Sequence, residues 1–329
     1  MNDLISTTRT LRSRVLFGIA TFLFITSGML GAQEGQSYRQ LTAAHPDWVQ
    51  VPGELIRPDC VHQLPAGAIV SISDDPQAGD DVILNGEVIA HYNDCPEEAI
   101  PTRHLDGYDP GPIGNGWVED AEWVPPLKKS DNIEWIQEYW VVPSAPKSNG
   151  ALIFFFNGLS PTSGKWIIQP VLQYGVSYAG GGNYWAMASW MVGPKKKNTY
   201  VSALTSVNTG DTLVGTIQQT GAGSKLTYLI DAYDDSTAAD SRLSVWSKGI
   251  KWAWAFSGVL EAYNVKSCSD FPASGSVDFL GGSIAHGYPS LDYYSSPGFN
   301  GVFDDYFGHG GPSCSFSVSV SGADATLNF

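Results

Sequence analysis

Ten short apolar runs recur from Gly116 onward: GWVEDAEWV, EWIQEYWVV, ALIFFFNGL, KWIIQPVLQYG, YWAMASWMV, TLVGTIQQT, KLTYLIDAY, KWAWAFSGVLEAYNV, GSVDFLGGSI and CSFSVSVSG. Each is about strand length and is closed off by Gly, Asn, Pro, Asp or Lys. None holds a helical period over eleven residues. A chain punctuated this way must pair its strands antiparallel, in a sandwich or a barrel. The stretches AGGGNYW and PKKKN read as connectors between strands. No internal repeat of fixed length is present.

Composition narrows the class. Of 329 residues, 43% are hydrophobic and 12% aromatic but only 16% charged, with 36 glycines. This excludes a disordered chain, a coiled coil and a helical bundle, and suits a β-rich extracellular protein. The length allows one large domain or two.

The first 32 residues have the layout of a secretory signal peptide. Arg9, Arg12 and Arg14 precede the apolar run Val15–Leu30, which ends in the small residues Gly31 and Ala32. An uncleaved anchor is the competing reading, but the run is short for a span. No later segment is long and apolar enough to cross a bilayer. The expected location is therefore secreted or extracytoplasmic, with no membrane association after cleavage. Residues 1–32 hold three arginines and one aspartate, so their removal takes the formal charge from −15 to −17. Such a chain is a poor partner for nucleic acid. Four cysteines, Cys60, Cys95, Cys268 and Cys314, are expected to pair in that compartment. Sequence allows three connectivities, and Cys60–Cys95 with Cys268–Cys314 is the simplest.

Residues 33–110 form an acidic, proline-rich N-terminal region. Within it, VILNGEVIAHY places Asn85-Gly86, a type I′ turn pair, between two alternating runs. Pro101–Gly116 reads as a linker, with Arg103 and His104 marking either a processing site or a plain interdomain loop. Residues 111–329 hold the strand-rich region.

Several chemistries are missing. The chain has no GxSxG elbow, HExxH helix, P-loop or strand-borne GxGxxG, and none of its six histidines has metal-ligand spacing. The cluster Asp304, Asp305 and His309 is a metal loop or a solvated turn, the latter being the commoner fate. No metal or cofactor is expected.

Two strands carry polar residues where apolar ones belong. In QPVLQYGVSY, Gln169 and Gln173 point to one face of a strand. In KWAWAFSGVLEAYNVKSC, Val259, Glu261, Tyr263 and Val265 share a face. A glutamate there is costly to bury unless it is paired or neutral. The bland reading is a carboxylate on the wet face of an edge strand.

The segments IIQPVLQYG and FSGVLEAYNV resemble the two signature strands of the eqolisin family, the glutamic peptidases of scytalidoglutamic type. The likeness extends in order along the chain. GNGWVEDAEW is similar to that family's opening Asn-Trp-Ala-Gly strand, EYWVVPSAP to its Trp-x-Val-Pro strand, FFFNGL to its Ile-Asp-Gly turn, and DTLVGTIQQT to its Gly-Asp-x-Ile strand. The resemblance covers roughly residues 114–290, with Gln173 and Glu261 88 positions apart. It implies an all-β fold, an antiparallel β-sandwich of concanavalin A-like jelly-roll type, preceded by a pro-region at 33–110. It implies a zymogen that cleaves polypeptide substrates in acid, with Gln173 and Glu261 as catalytic pair; a monomer is the expected state. Gln169, Tyr263, Trp190 and Asn157 would contact substrate. Trp185, Trp252 and Trp254 would serve as apolar subsites or core. Asn157, Tyr174 and Val265 depart from the family's Asp, Thr and second acid.

Two other classes share this architecture. One is a carbohydrate-binding or glycan-hydrolysing sandwich, in which Glu261 would face a second carboxylate such as Glu134, Glu138 or Asp231 across a groove. The other is a structural exported protein whose Gln173 and Glu261 merely face water.

Overall fold

The computed structural model describes residues 38–73, 75, 78–101, 116–125, 127, 132–194, 196–221, 226–286, 292–294, 300–303 and 314–329. The signal-like segment, the Arg103–His104 stretch and the Asp304–His309 cluster lie outside the described residues.

The N-terminal region contains α1 (Tyr38–Ala44), β1 (Val49–Val51), β2 (Glu54–Ile56), β3 (Val61–Gln63), β4 (Ile69–Ser73), β5 (Asp80–Leu84), β6 (Glu87–Tyr92) and β7 (Ile100–Pro101). Then follow β8 (Gly116–Trp123), β9 (Ile133–Val141), β10 (Leu152–Ser160), β11 (Ile167–Ser177), β12 (Gly180–Val192), β13 (Thr199–Val201), β14 (Thr205–Ser206) and β15 (Thr212–Gln219). The last are β16 (Thr227–Asp234), β17 (Ala239–Lys248), β18 (Trp254–Tyr263), β19 (Ser276–His286), β20 (Asp292–Tyr294), β21 (Asn300–Phe303), β22 (Ser317–Ser321) and β23 (Asp324–Asn328). All ten runs singled out in the sequence are strands.

These strands build an all-β sandwich of two large, mostly antiparallel sheets. One runs β21-β8-β18-β10-β11-β12-β13-β3, with β14 on β12. The other runs β22-β23-β19-β9-β15-β16-β17-β4-β5-β6, with β20 on β19. A small sheet, β1-β2-β7, stands apart from both. Between the large sheets, Ile153, Phe155, Ile168, Leu172, Met187 and Leu260 pack against Ile136, Trp140, Ile217, Ile230 and Leu243. Alternate residues of the first sheet face the other way. There Phe154, Phe156, Val171, Trp190, Val259 and Tyr263 form a second core with Val51, Ile56, Cys60 and Val61 of the N-terminal region. The run LIFFFNGLS is buried at every position because β10 has cover on both faces.

The N-terminal region does more than precede the sandwich. β3 pairs with β13 and β4 with β17, and among the described residues these are the two parallel ladders. The predicted hairpin forms, with Asn85 (φ 54°) and Gly86 (φ 84°) both in the left-handed region that a type I′ turn needs. Both disulfides close within their own regions, Cys60–Cys95 and Cys268–Cys314. The AGGGNYW stretch is not the connector the sequence suggested. Gly180, Gly181 and Gly182 pair with Ser177, Val176 and Gly175, opening β12. Their lack of side chains allows a tight ladder: a Cβ on Gly181 would lie 2.6 Å from Nε2 of Gln173.

Several carboxylates lie in this interior. Burial pushes Glu119 up to about 9 and holds Glu138 well above the usual range. It also raises Asp80, against hydrogen bonds from Asn198 and Tyr200, and Asp231, against Arg242. Between about pH 4.5 and 9 the unfolded chain ionises Glu119 while the folded chain keeps it protonated. The native state then binds more protons, so stability falls as pH rises through that window, by up to ~1.4 kcal/mol per pH unit for each such group. Chemical denaturation across pH 3–9 is expected to show this decline, and Glu119→Gln is expected to flatten it. An unchanged slope in the variant would refute the assignment to Glu119.

Candidate active site

The site is built on three neighbouring strands. Phe154 of β10 pairs with Gln173 on β11 and with Glu261 on β18. Directly paired residues point to the same side, so all three share one face. Gln173 and Glu261 flank Phe154 with their backbones two strand spacings apart, ~9.6 Å. Both are deeply buried, with 1% and 0% exposure.

What buries Glu261 is the N-terminal region. The β1–β2 hairpin turns at Val51-Pro52-Gly53-Glu54. Proline presets the first turn position, and Gly53 takes φ 80°, which a type II turn requires and a side chain resists. Such a turn leaves the amide of its third residue facing outward. That amide, Gly53 N–H, donates to Oε1 of Glu261 at 2.5 Å. The Tyr263 hydroxyl donates to the same oxygen. Gln50 stiffens the hairpin, its Nε2 donating to the carbonyls of Val51 (2.6 Å) and Glu54 (2.9 Å).

Gln173 is held differently. Its Nε2 donates to the carbonyls of Gly175 and Gly180, each at 2.9 Å. Its Oε1 accepts from the Ser177 hydroxyl at 2.7 Å. These partners belong to the β11–β12 connection, where the register shifts between Tyr174 and Gly175. The amide thus pins an irregular turn as well as facing the site.

The other expected contacts divide between the faces. Gln169 and Trp190 are cross-strand partners on the Glu261 face, both fully buried. Neither amide atom of Gln169 has a hydrogen-bond partner among the described residues. Tyr263 lies on the same face and bonds Glu261 itself. Trp254 packs against this face, 5.0 Å from the Phe256 ring. Asn157 does not lie there. It follows Phe156 at a bulge and points into the sandwich, where its Nδ2 donates to the Gly215 carbonyl of the opposite sheet at 3.1 Å. An interior side chain with no exposure cannot line a cleft on the other face, so Asn157 is a core residue. Trp185 and Trp252 are core as well. Glu134, Glu138 and Asp231 stand on β9 and β16 of the other sheet and do not oppose Glu261 across a groove.

Two contributors escaped the sequence reading. The Pro52-Gly53 pair is a legible turn signal, but nothing local says that its amide reaches a residue 208 positions away. Asp120 pairs with Val259 and so shares the Glu261 face, buried to 4% exposure. Its register depends on bulges in the β8–β18 ladder.

Neither protein-family models nor curated proteins match this chain. Among solved structures it is similar to SCP-B, a member of the eqolisin family of peptidases in complex with the tripeptide Ala-Ile-His. The two are 12% identical over 65% of this chain and 97% of that one, with a TM-score of 0.43. It is also similar to scytalido-glutamic peptidase with a transition state analog inhibitor, at 12% identity, the same coverage and a TM-score of 0.41. A third likeness is to the CBM2 module of Lactobacillus casei BL23 phage J-1 evolved Dit, at 11% identity over 64% and 95% of the two chains and a TM-score of 0.29. At TM-scores below 0.5, these likenesses decide neither family nor activity.

Removing the Gln173 amide strands two main-chain carbonyls in a partly buried turn. Gln173→Ala is expected to cost about 1–3 kcal/mol and Ser177→Ala about 1 kcal/mol, read by urea unfolding. Wild-type stability in Gln173→Ala would mean that the turn does not depend on the amide.

Proposed function

We propose that this chain is a secreted glutamic-type endopeptidase that hydrolyses peptide bonds with Glu261, Gln173 and a water. One observation carries the reading: a segment of the chain's own backbone already presents a peptide N–H to Glu261, on the face Gln173 shares. A cleft that seats one peptide turn has a shape and a polarity that suit others. The ordered resemblance of the strand motifs points the same way.

The chemistry follows from the groups present. Ionised Glu261 takes a proton from a water as that water attacks the scissile carbonyl, then returns it to the leaving amine. Gln173 positions the water through its carboxamide oxygen, which retains a lone pair beside the Ser177 hydroxyl. Its N–H groups serve the developing oxyanion only if the β11–β12 turn releases one of them, since both are committed to carbonyls in this state. Tyr263, donating to Oε1, orients the carboxylate so that Oε2 faces the reaction. Neither a metal nor a cofactor takes part in this scheme.

Work in acid is part of the proposal. The raised carboxylates Glu119, Glu138 and Asp80 favour a fold that keeps its stability as pH falls. Asp80 bridges the N-terminal region to Asn198 and Tyr200. Its raised pKa means that acid does not loosen this contact.

A second reading has a specific observation behind it. Asp120 and Glu261 are two carboxylates on one face of adjacent strands, the raw material of a glycan hydrolase.

The deciding assay is cleavage of an unfolded protein across pH 2–8 by the wild type, Glu261→Gln and Asp120→Asn. Acid-range cleavage that falls at least 100-fold in Glu261→Gln, in a variant of native stability, is the expected result. No proteolysis from any form, with hydrolysis of a β-glucan lost in both variants, would replace the peptidase by the glycan reading.

A further inference from the structure

We propose that the Val49–Ile56 hairpin is a resident plug of the Glu261 cleft, lifting and reseating while the rest of the N-terminal region stays in the sandwich, even after the chain is cut between residues 101 and 116. Its inhibitory consequence rests on the peptidase reading; its structural half does not.

The two parts of the N-terminal region are attached in different ways. Among the described residues the hairpin's ladder partner is β7, in a small sheet outside both large ones, and Tyr178 N–H adds a main-chain bond to the Gln50 carbonyl at 3.4 Å. Its apolar residues Val51, Leu55 and Ile56 are buried, and its tip donates to Glu261. The segment after it is woven into the main body. β3 extends one large sheet through β13, with Leu64 N–H continuing the ladder to the Val201 carbonyl at 2.8 Å. β4 joins the other sheet through five paired residues on β17. Val70, Ile72 and Val82 of this segment belong to the inter-sheet core itself. Polar contacts fasten the same part: Lys197 Nζ to Asp94 at 2.7 Å, Tyr200 hydroxyl to Asp80 at 3.0 Å, and Cys95 N–H to the Lys196 carbonyl at 2.6 Å. Expelling it would strip β3 from one sheet and β4, β5 and β6 from the other and open the inter-sheet core. Lifting the hairpin would leave those ladders and the inter-sheet core intact and uncover only the outer face of β10, β11 and β18.

The closed state also has features that favour opening. Gln169 lies fully buried on the covered face with its amide unpartnered among the described residues, a cost that water or a substrate backbone would relieve. Beside the seated hairpin is a cavity of about 480 Å³. Trp48, Val49 and Gln50 wall one side of it, and Leu152, Ser177 and Tyr263 the other. Ser177 and Tyr263 are the residues that hold Gln173 and Glu261. The cavity therefore gives access to the supports of both groups without disturbing β3 or β4.

The test begins with a specific protease site placed between residues 101 and 116. Each disulfide lies within one of the two resulting pieces, so no covalent link joins them after cutting. The pieces are expected to co-elute in size-exclusion chromatography at pH 4 and pH 7 and to separate only in denaturant. Separation on cutting, at either pH, would overturn the proposal. Hydrogen exchange then distinguishes plug from body in the uncut protein. Gly53→Val, which forces a β-branched residue to φ 80°, is expected to speed exchange over residues 49–56 at least tenfold and leave residues 61–73 unchanged. Equal acceleration in both segments would show one unit and no separate plug. If exchange behaves as expected and Gly53→Val raises proteolysis at least fivefold over the uncut wild type, the plug is inhibitory. If exchange behaves as expected and no form cleaves protein, the hairpin still docks and lifts, but the peptidase reading and the inhibitory role fall together.

Discussion

A carboxylate without solvent exposure must be met by donors, and the organisation of this molecule follows from how Glu261 is met. One donor, the Tyr263 hydroxyl, comes from its own strand. Another, Gly53 N–H, comes from a turn 208 residues earlier in the chain. Without that second donor and the apolar hairpin behind it, the outer face of β10, β11 and β18 would expose Phe154, Phe156, Val171 and Val259 to water. A two-layer sandwich normally has one wet side to each sheet. Here the N-terminal region makes a third layer over one sheet, and the polar pair Gln173 and Glu261 lies at the boundary. The layer is apolar where it must cover phenylalanines, and it offers a peptide amide where it must cover a carboxylate.

Burial acts on acids elsewhere in the same structure, and there it outweighs the hydrogen bonds that oppose it. Glu119 and Glu138 face the inter-sheet space behind β18, and desolvation raises both. Neutral, each is tolerable; ionised, each would place a charge in the core. Acid therefore suits the back of β18 regardless of what happens on its front. The same sign holds for Asp80 at the seam with the N-terminal region. A device that shed this region in acid would work against that seam. A hairpin tethered beyond the seam moves without breaking it.

Sequence patterning revealed the strands because their burial obeys simple alternation, as in Thr227–Asp234, where every second residue is buried. β17 escaped because its outward residues Asp240, Arg242 and Ser244 mask the inward Ser241, Leu243 and Val245. Gln173 and Glu261 stood out as polar residues in apolar strands, and period-two geometry gave the face each takes within its own strand. That the two faces coincide required the pairing of both strands with β10, which no local pattern encodes. Asn157 was misplaced for a related reason. The bulge after Phe156 resets the alternation, and an asparagine beside a glycine reads equally well as a turn or as a buried amide bonding across to Gly215. The plug was least legible of all. Its turn is announced by Pro-Gly, yet its target is set by the tertiary fold alone.

Gln173 links fold and chemistry most closely, because its amide cannot serve both at full strength. In the closed state its two N–H groups hold the carbonyls of Gly175 and Gly180, and Gly181 has no side chain to interfere. A leucine or an isoleucine at position 173 would pack well against Phe154 but leave those carbonyls unpaired. A glutamate there would set a second charge facing Glu261 and offer acceptors where the turn needs donors. The amide is thus selected by the turn even before catalysis is considered. Its oxygen, facing Ser177, is the part of the group that the turn leaves least engaged, and that is the part a bound water requires. On this account the glutamine acts mainly as an acceptor that places water, while developing charge on the substrate is met by groups the open cleft exposes. Glu261, relieved of the Gly53 amide when the hairpin lifts, recovers the acceptor capacity that proton abstraction demands.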